Sequence, residues 1–194
     1  MSRIVPIVEG HSEQRSIPKF LRRILYDRGI FDVEPGKAIR EHRNRLVKKD
    51  VFLNRVRMAA HQNRCAAIIA LIDADDDAAC ALGPDLLEEA AEAAIGFPLK
   101  VVLAVREIEA WLIAGIESLR GYRGVPLDAS PPDNVEQIRG AKEWLDHVKD
   151  RGYKPTIDQL PLLLRFDYQD ARLRASSLDK FLRDLDALLS AIRR

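Results

Sequence analysis

The run AAIIALIDADDD, from Ala66 to Asp77, decides how this chain folds. An apolar stretch rich in isoleucine, with no polar alternation, is the pattern of a strand covered on both faces, as in a parallel sheet. It stops abruptly at Asp73, and four acids then fall within five positions, so the acidic block forms the carboxyl-terminal lip of that strand.

Working outward, Ile4 to Val8 is a shorter apolar run closed by Glu9 and Gly10. Proline cannot donate to a ladder, so Pro6 puts this strand near an edge or removes one bond from it. Ser12 reads as the cap of a helix carrying Ile17, Phe20, Leu21, Ile24 and Leu25 at helical spacing, with Pro18 tolerable only in the first turn. Phe31 to Arg40 is a candidate for a second strand, and Val51 to His61 resumes helical periodicity. Beyond the acidic block come an alanine-rich helix (Leu86 to Ile95), another apolar strand (Leu99 to Val105) and an amphipathic helix (Ile108 to Leu119). This alternation predicts an α/β fold with a mostly parallel sheet flanked by helices.

After Tyr122 the texture changes to GVPLDASPPDN, and the remainder is charged and helical. The expected division is therefore an α/β domain over 1–122 and a helical C-terminal region over 123–194 packed on it. Its helices are expected over Val135 to Val148, Ile157 to Leu164 and Leu178 to Ile192.

The chain's 194 residues suit one compact domain with an appendage. The net charge of +1, from 31 basic and 30 acidic residues, neither requires nor excludes a nucleic-acid partner, so distribution has to decide. Lys37, Arg40, Arg43, Arg45, Lys48 and Lys49 form a basic run opposite in sign to the Asp73–Asp77 block, which suits phosphate contact beside metal; a solvated helix face explains the run equally well. Cys65 and Cys80 lack metal-ligand spacing and read as buried small hydrophobes in a reducing compartment. With no signal-peptide pattern and no apolar stretch of bilayer length, the expected location is the cytoplasm and no membrane partner is expected.

Three blocks could carry chemistry, each at the end of an expected strand: VEGHSE with Glu9 and Glu13, LIDADDD with Asp73 and Asp75, and REIEAW with Glu107 and Glu109. Ligands of open α/β sheets bind outside the carboxyl ends of the strands, so these acids are expected to converge. Gly10 would allow a tight turn and the approach of a phosphate. Strand alternation would point Asp73 and Asp75 the same way, with Asp76 turned aside. Crowded carboxylates repel unless a cation neutralises them, and Mg2+ or Mn2+ prefers such oxygen ligands. For Glu13, Glu107 and Glu109 a first-turn acid complementing a helix dipole is the competing explanation. Trp111 reads as core, His11 as solvent-facing and Ser12 as a cap, not a nucleophile.

The turn VEGHSE followed by the strand-borne DADDD is similar to the Toprim domain of topoisomerases, primases and the overcoming-lysogenization-defect nucleases. Over nearly the whole chain, VEGHSE, LIDADDD, REIEAWL, YKPTIDQLP and SSLDKFL resemble the successive blocks of a small bacterial Toprim-like family labelled as a domain of unknown function. The resemblance implies that Glu9 is a metal ligand or general acid/base and that Asp73 and Asp75 are the metal-binding pair. It implies that Glu13 and one of Glu107 or Glu109 help hold a second ion. A downstream base, Lys180 or Lys154, would then steady transition-state charge. It further implies an AAA or ABC-type ATPase partner, with a role in DNA metabolism or phage defence; the chain has no P-loop of its own.

The expected function is thus metal-dependent cleavage of phosphodiester bonds in nucleic acid, DNA foremost. Two alternatives stand beside it: a non-catalytic module docking on an ATPase, and a phosphohydrolase of small nucleotides.

Overall fold

The computed structural model describes residues 1–75, 79–91 and 96–193. Five strands, β1 (Ser2–Val8), β2 (Val33–Pro35), β3 (Ile39–Arg40), β4 (Cys65–Asp73) and β5 (Leu99–Ala104), form one sheet in the order β2-β1-β4-β5, with β3 also paired to β1. Every described pairing is parallel. The expected α/β architecture is the one observed.

β1 is an interior strand, with β4 on one side and β2 and β3 on the other, so Pro6 does not mark an edge. The proline is tolerated because pairing on the outer side is interrupted there. β2 covers Ser2 to Ile4 and β3 covers Ile7 and Val8. Gly36 N donates to Ile4 O at 2.8 Å, and Pro6, two residues on, turns its donor-less nitrogen to the same side, where Gly36 to Ala38 leave the ladder.

Alternation along the strands sorts two cores. Ile4, Val8, Ile69, Leu71 and Val102 face one layer, and Val5, Ile7, Ile68, Ile72 and Leu103 face the other. The second layer is α3 (Lys49–Ala60) and α4 (Ala79–Ala91), reached through the short α2 (Arg43–Leu46). The expected helix over Leu86 to Ile95 thus begins earlier than periodicity indicated, and its last four residues lie outside those described. The first layer contains α1 (His11–Asp27), α5 (Glu109–Ala114) and the helices that follow: α6 (Ala141–Val148), α7 (Pro155–Leu163), α8 (Tyr168–Ala171) and α9 (Ser176–Ile192).

Two local expectations are corrected. Helix α1 starts at His11 with Gly10 as its N-cap and no side-chain capping bond, so Ser12 is inside the helix and Pro18 sits two turns in. The stretch Ile108 to Leu119 is not one amphipathic helix: all six residues of α5 are buried, and a separate 3-10 turn, Ile116–Leu119, follows Gly115. A Cβ on that glycine would stand 2.8 Å from the Phe166 ring, which is why the chain passes there without a side chain.

The apolar core runs without a break across the expected boundary at 122. Phe20 of α1 packs on Phe166, Tyr168 and Phe181, with ring centroids 5.5, 5.8 and 6.2 Å away. The SSLDKFL block anchors the last helix: Glu136 accepts hydrogen bonds from the backbone and hydroxyls of both Ser176 and Ser177. Ser177 Oγ also accepts from Trp111 Nε1 at 2.8 Å, and Trp111 is fully buried.

Because Phe20 joins the two regions, Phe20→Ala should cost about 3 to 5 kcal/mol and leave a single denaturant transition. A cost below about 1 kcal/mol, or two separated transitions by circular dichroism and tryptophan fluorescence, would show that the C-terminal helices fold independently.

Candidate functional site

The carboxyl ends of β1 and β4 lie side by side, Val8 paired with Leu71, and this register brings Glu9 against Asp73. Asp73 has the parity of Leu71, so its side chain enters the layer of α1 and α5. Its Oδ1 accepts the backbone N–H of Ile108 at 2.9 Å, fixing the turn that precedes α5. Its carboxyl lies within hydrogen-bond reach of that of Glu9. Burial, then repulsion from Glu9 and Glu109, pushes Asp73 well above the ordinary carboxylate range. Glu9 is raised as well, first by burial, while its bond to Asp73 pulls the other way.

Glu109 occupies the floor. It is fully buried, and its Oε1 accepts from Tyr153 Oη at 3.0 Å and Gln159 Nε2 at 3.3 Å. Burial and nearby acids push its carboxyl up to about 7. Gln159, also fully buried, donates at 2.6 Å to Glu13 Oε1, and its own oxygen accepts from Ser16 Oγ at 2.6 Å, which fixes the orientation of the amide. Tyr153 is held in its protonated donor form by burial and by Glu109.

Lys142, at the start of α6, supplies the opposite charge. Its Nζ stands 3.0 Å from Glu107, 3.7 Å from Glu109 and 3.9 Å from Asp73, while its backbone N–H donates to the other Glu107 oxygen at 3.1 Å. Burial opposes its charge, but these carboxylates outweigh burial and raise the ammonium above its usual range. Glu107 is thus occupied by Lys142, and Glu109 is the member of the pair that faces Asp73 and Glu13.

Two oxygens of the cluster, Glu9 Oε2 and Glu109 Oε2, are buried without a hydrogen-bond partner, though the second has the Lys142 ammonium 3.7 Å away. A buried carboxylate oxygen left unmatched is costly, and a cation is one remedy. The donor chemistry fits Mg2+ or Mn2+, which take one or two carboxylates with water and substrate making up the rest. Glu9 and Asp73 are the pair that would hold the ion. Among the described residues no three acidic, histidine or cysteine side chains are gathered as ligands about one point, since Gln159, Tyr153 and Lys142 draw Glu13, Glu109 and Glu107 to other partners.

Other expected site residues lie elsewhere. Asp75 does not point with Asp73: β4 ends at Asp73, Asp75 takes a left-handed conformation (φ 50°), and its exposed carboxylate pairs with Arg43 Nε at 3.0 Å. Its charge still reaches Glu9. Asp76 and Asp77, and the side chain of Cys80, lie outside the described residues. Lys180 is not at the acids; it pairs with Asp184 and donates to Val101 O at 3.2 Å, toward the other end of β5. Lys154 is exposed beside Tyr153 and points into a neighbouring cavity. The space at Gly10 is taken by a side chain: a Cβ there would meet Glu13 Oε2 at 1.7 Å, so the glycine makes room for that carboxylate. Part of the basic run is spent internally, Arg43 on the carbonyls of Asp73 and Ala74 and Arg45 and Arg55 on the buried Glu41. Lys142, Tyr153 and Gln159 were missed; the one signal was the YKPTIDQLP block, which contains two of them.

The chain matches the family described as "Domain of unknown function (DUF4276)" over residues 8–186. It belongs to that family. The match takes in every residue of the cluster, from Glu9 to Gln159. No curated protein and no solved structure matches the chain. Among the described residues no helix is long and apolar enough to cross a membrane.

Two outcomes follow. In metal-free buffer, native Glu109 keeps its proton up to about pH 7, whereas in the unfolded chain it releases it near 4.5. The native state binds more protons between those values, so stability falls as pH rises through the window, by roughly 3 kcal/mol at about 1.4 kcal/mol per pH unit. Glu109→Gln should flatten that fall in denaturant titrations with EDTA; an unaltered slope would mean another group is responsible. Gly10→Ala should cost about 1 to 3 kcal/mol through the clash with Glu13. The penalty should shrink in a Glu13→Ala background, and equal costs in both backgrounds would place the strain elsewhere.

Proposed function

We propose that this protein is a divalent-metal-dependent phosphodiesterase of the Toprim type acting on nucleic acid. One observation carries the reading: five carboxyls, Glu9, Glu13, Asp73, Glu107 and Glu109, gather at the carboxyl lip of a parallel sheet, three of them about the ammonium of Lys142, and two of their buried oxygens have no hydrogen-bond partner. Such an excess of buried acid works against stability, so the arrangement is better explained by a cation and substrate than by the fold.

Glu9 and Asp73 would hold the ion, which supplies positive charge against a phosphoryl oxygen and acidifies water. Lys142 takes the part first assigned to Lys180. Its ammonium is partly exposed, anchored by Glu107 and adjacent to Asp73, where it can face the charge that develops on the phosphoryl group. Glu109, poised near neutrality, can keep or release a proton beside Asp73. Tyr153 and Gln159 orient Glu109 and Glu13 and do not themselves meet the substrate.

Lys142 also gives the second reading, a non-catalytic module docking on an ATPase, its specific support: an ammonium among the acids partly does a metal's work. Incubation with supercoiled, linear and single-stranded DNA and with RNA, in Mg2+, Mn2+ or EDTA, separates the two. Cleavage is expected with either ion and none with EDTA. Asp73→Asn should abolish it, and Lys142→Met should lower kcat by about 100-fold to 1000-fold. Cleavage that resists EDTA and survives Asp73→Asn refutes the mechanism, and no cleavage with either ion favours the docking module.

A further inference from the structure

An open cavity of about 650 Å³ lies behind the residues that position the acids, lined by Arg123, Lys149, Arg151, Lys154, Asp150 and Asp158 among others. It shares no residue with the acid cluster, yet the wall between them is one residue thick in sequence at two places. Tyr153 stands between the lining residues Gly152 and Lys154 and sends its hydroxyl to Glu109. Asp158 lines the cavity, while Gln159 next to it reaches Glu13 and Glu109.

Part of the lining is scaffold. Lys149 is buried, and its Nζ donates to Arg123 O at 2.7 Å and Gly152 O at 3.0 Å. Asp158 accepts from Arg123 Nε at 3.2 Å and from the Lys154 backbone at 2.9 Å. These bonds hold left-handed turns at Arg123, Gly124 and Gly152, with φ of 51°, 83° and 66°, and so fix the rim. Arg151 and Lys154 are different. Both are exposed, and their side chains make no hydrogen bond or ion pair with any described residue. Four basic residues against two acidic ones leave the cavity positive, and Leu127 and Ile157 add apolar lining, 80% and 57% exposed.

We infer that this cavity binds the phosphate backbone of a polynucleotide through Arg151 and Lys154, so that a neighbouring phosphodiester is presented to the acid cluster. The second half rests on the phosphodiesterase reading; the binding itself does not. A guanidinium fork and an ammonium are the side chains suited to phosphate oxygens. The exposed apolar pair offers contact to sugar or base, which a bare anion would not use. Tyr153 and Gln159 stand between the cavity and the acids, so a polymer can occupy both places where a mononucleotide fills one.

The test is fluorescence anisotropy of a labelled oligonucleotide, single-stranded and duplex, in EDTA over a range of NaCl, with wild type and the double variant R151Q/K154Q. Both positions are exposed, and an unchanged thermal unfolding curve checks that the variant is folded. The variant should bind about tenfold more weakly at low salt, and its log–log salt dependence should be shallower by about 1.4 for the single strand or about 1.8 for the duplex. Equal binding by both proteins, or no binding by wild type, overturns the inference. So does displacement of the oligonucleotide by a mononucleotide at equal phosphate concentration, which would make this a small-molecule site. Hydrolysis of a small chromogenic phosphodiester by wild type with Mn2+ is read separately. Its absence would remove the phosphodiesterase reading, while binding that depends on Arg151 and Lys154 would still stand.

Discussion

The constraint on which this architecture depends is a carboxylate buried at the end of a central strand. Asp73 is only 6% exposed, and it cannot be there without partners. One oxygen is satisfied by the Ile108 backbone, which sets where the chain leaves β5 and enters α5. The rest of the group faces Glu9, a gift of the parallel register between β1 and β4, and Lys142, from a helix that starts beyond the expected domain boundary. Strand order, the turn into α5 and the docking of α6 are therefore all tied to one side chain.

Seen from Asp73, the C-terminal region is not an appendage. α6 brings the ammonium, the segment after it brings Tyr153, and α7 brings Gln159, whose amide bridges the first and third acidic blocks. The aromatic cluster around Phe20 holds those helices against α1, so the apolar core and the polar site are built by the same packing. A division of the sequence at residue 122 follows composition, while burial ignores it.

What could be read from sequence was whatever depends on short-range pattern. Unbroken apolar runs announced β4 and β5, and acids at strand ends announced that a polar lip would form, because strand direction alone carries those residues to one edge of a parallel sheet. Asp75 was misplaced because alternation was extended past the last ladder residue, where backbone conformation is set by local turn geometry and by Arg43. The roles of Lys142, Tyr153 and Gln159 are illegible for another reason: their partners are 35, 44 and 146 residues away, and although the YKPTIDQLP block contains two of them, nothing in it says what they touch. Lys180 belongs to the SSLDKFL block, and that block serves the N-terminus of α9.

The position of Lys142 bears on how so acidic a site folds at all. With Glu9, Asp73 and Glu109 all raised, protons can neutralise what the lysine does not. Glu9 and Asp73 would have to be ionised to hold a divalent ion, so affinity would rise with pH. Lys142 would remain on Glu107, bonded through both backbone and side chain, and would keep its charge beside the substrate instead of leaving with the protons. A charge fixed in the chain and protons that exchange with solvent are thus compatible with a single set of carboxyls.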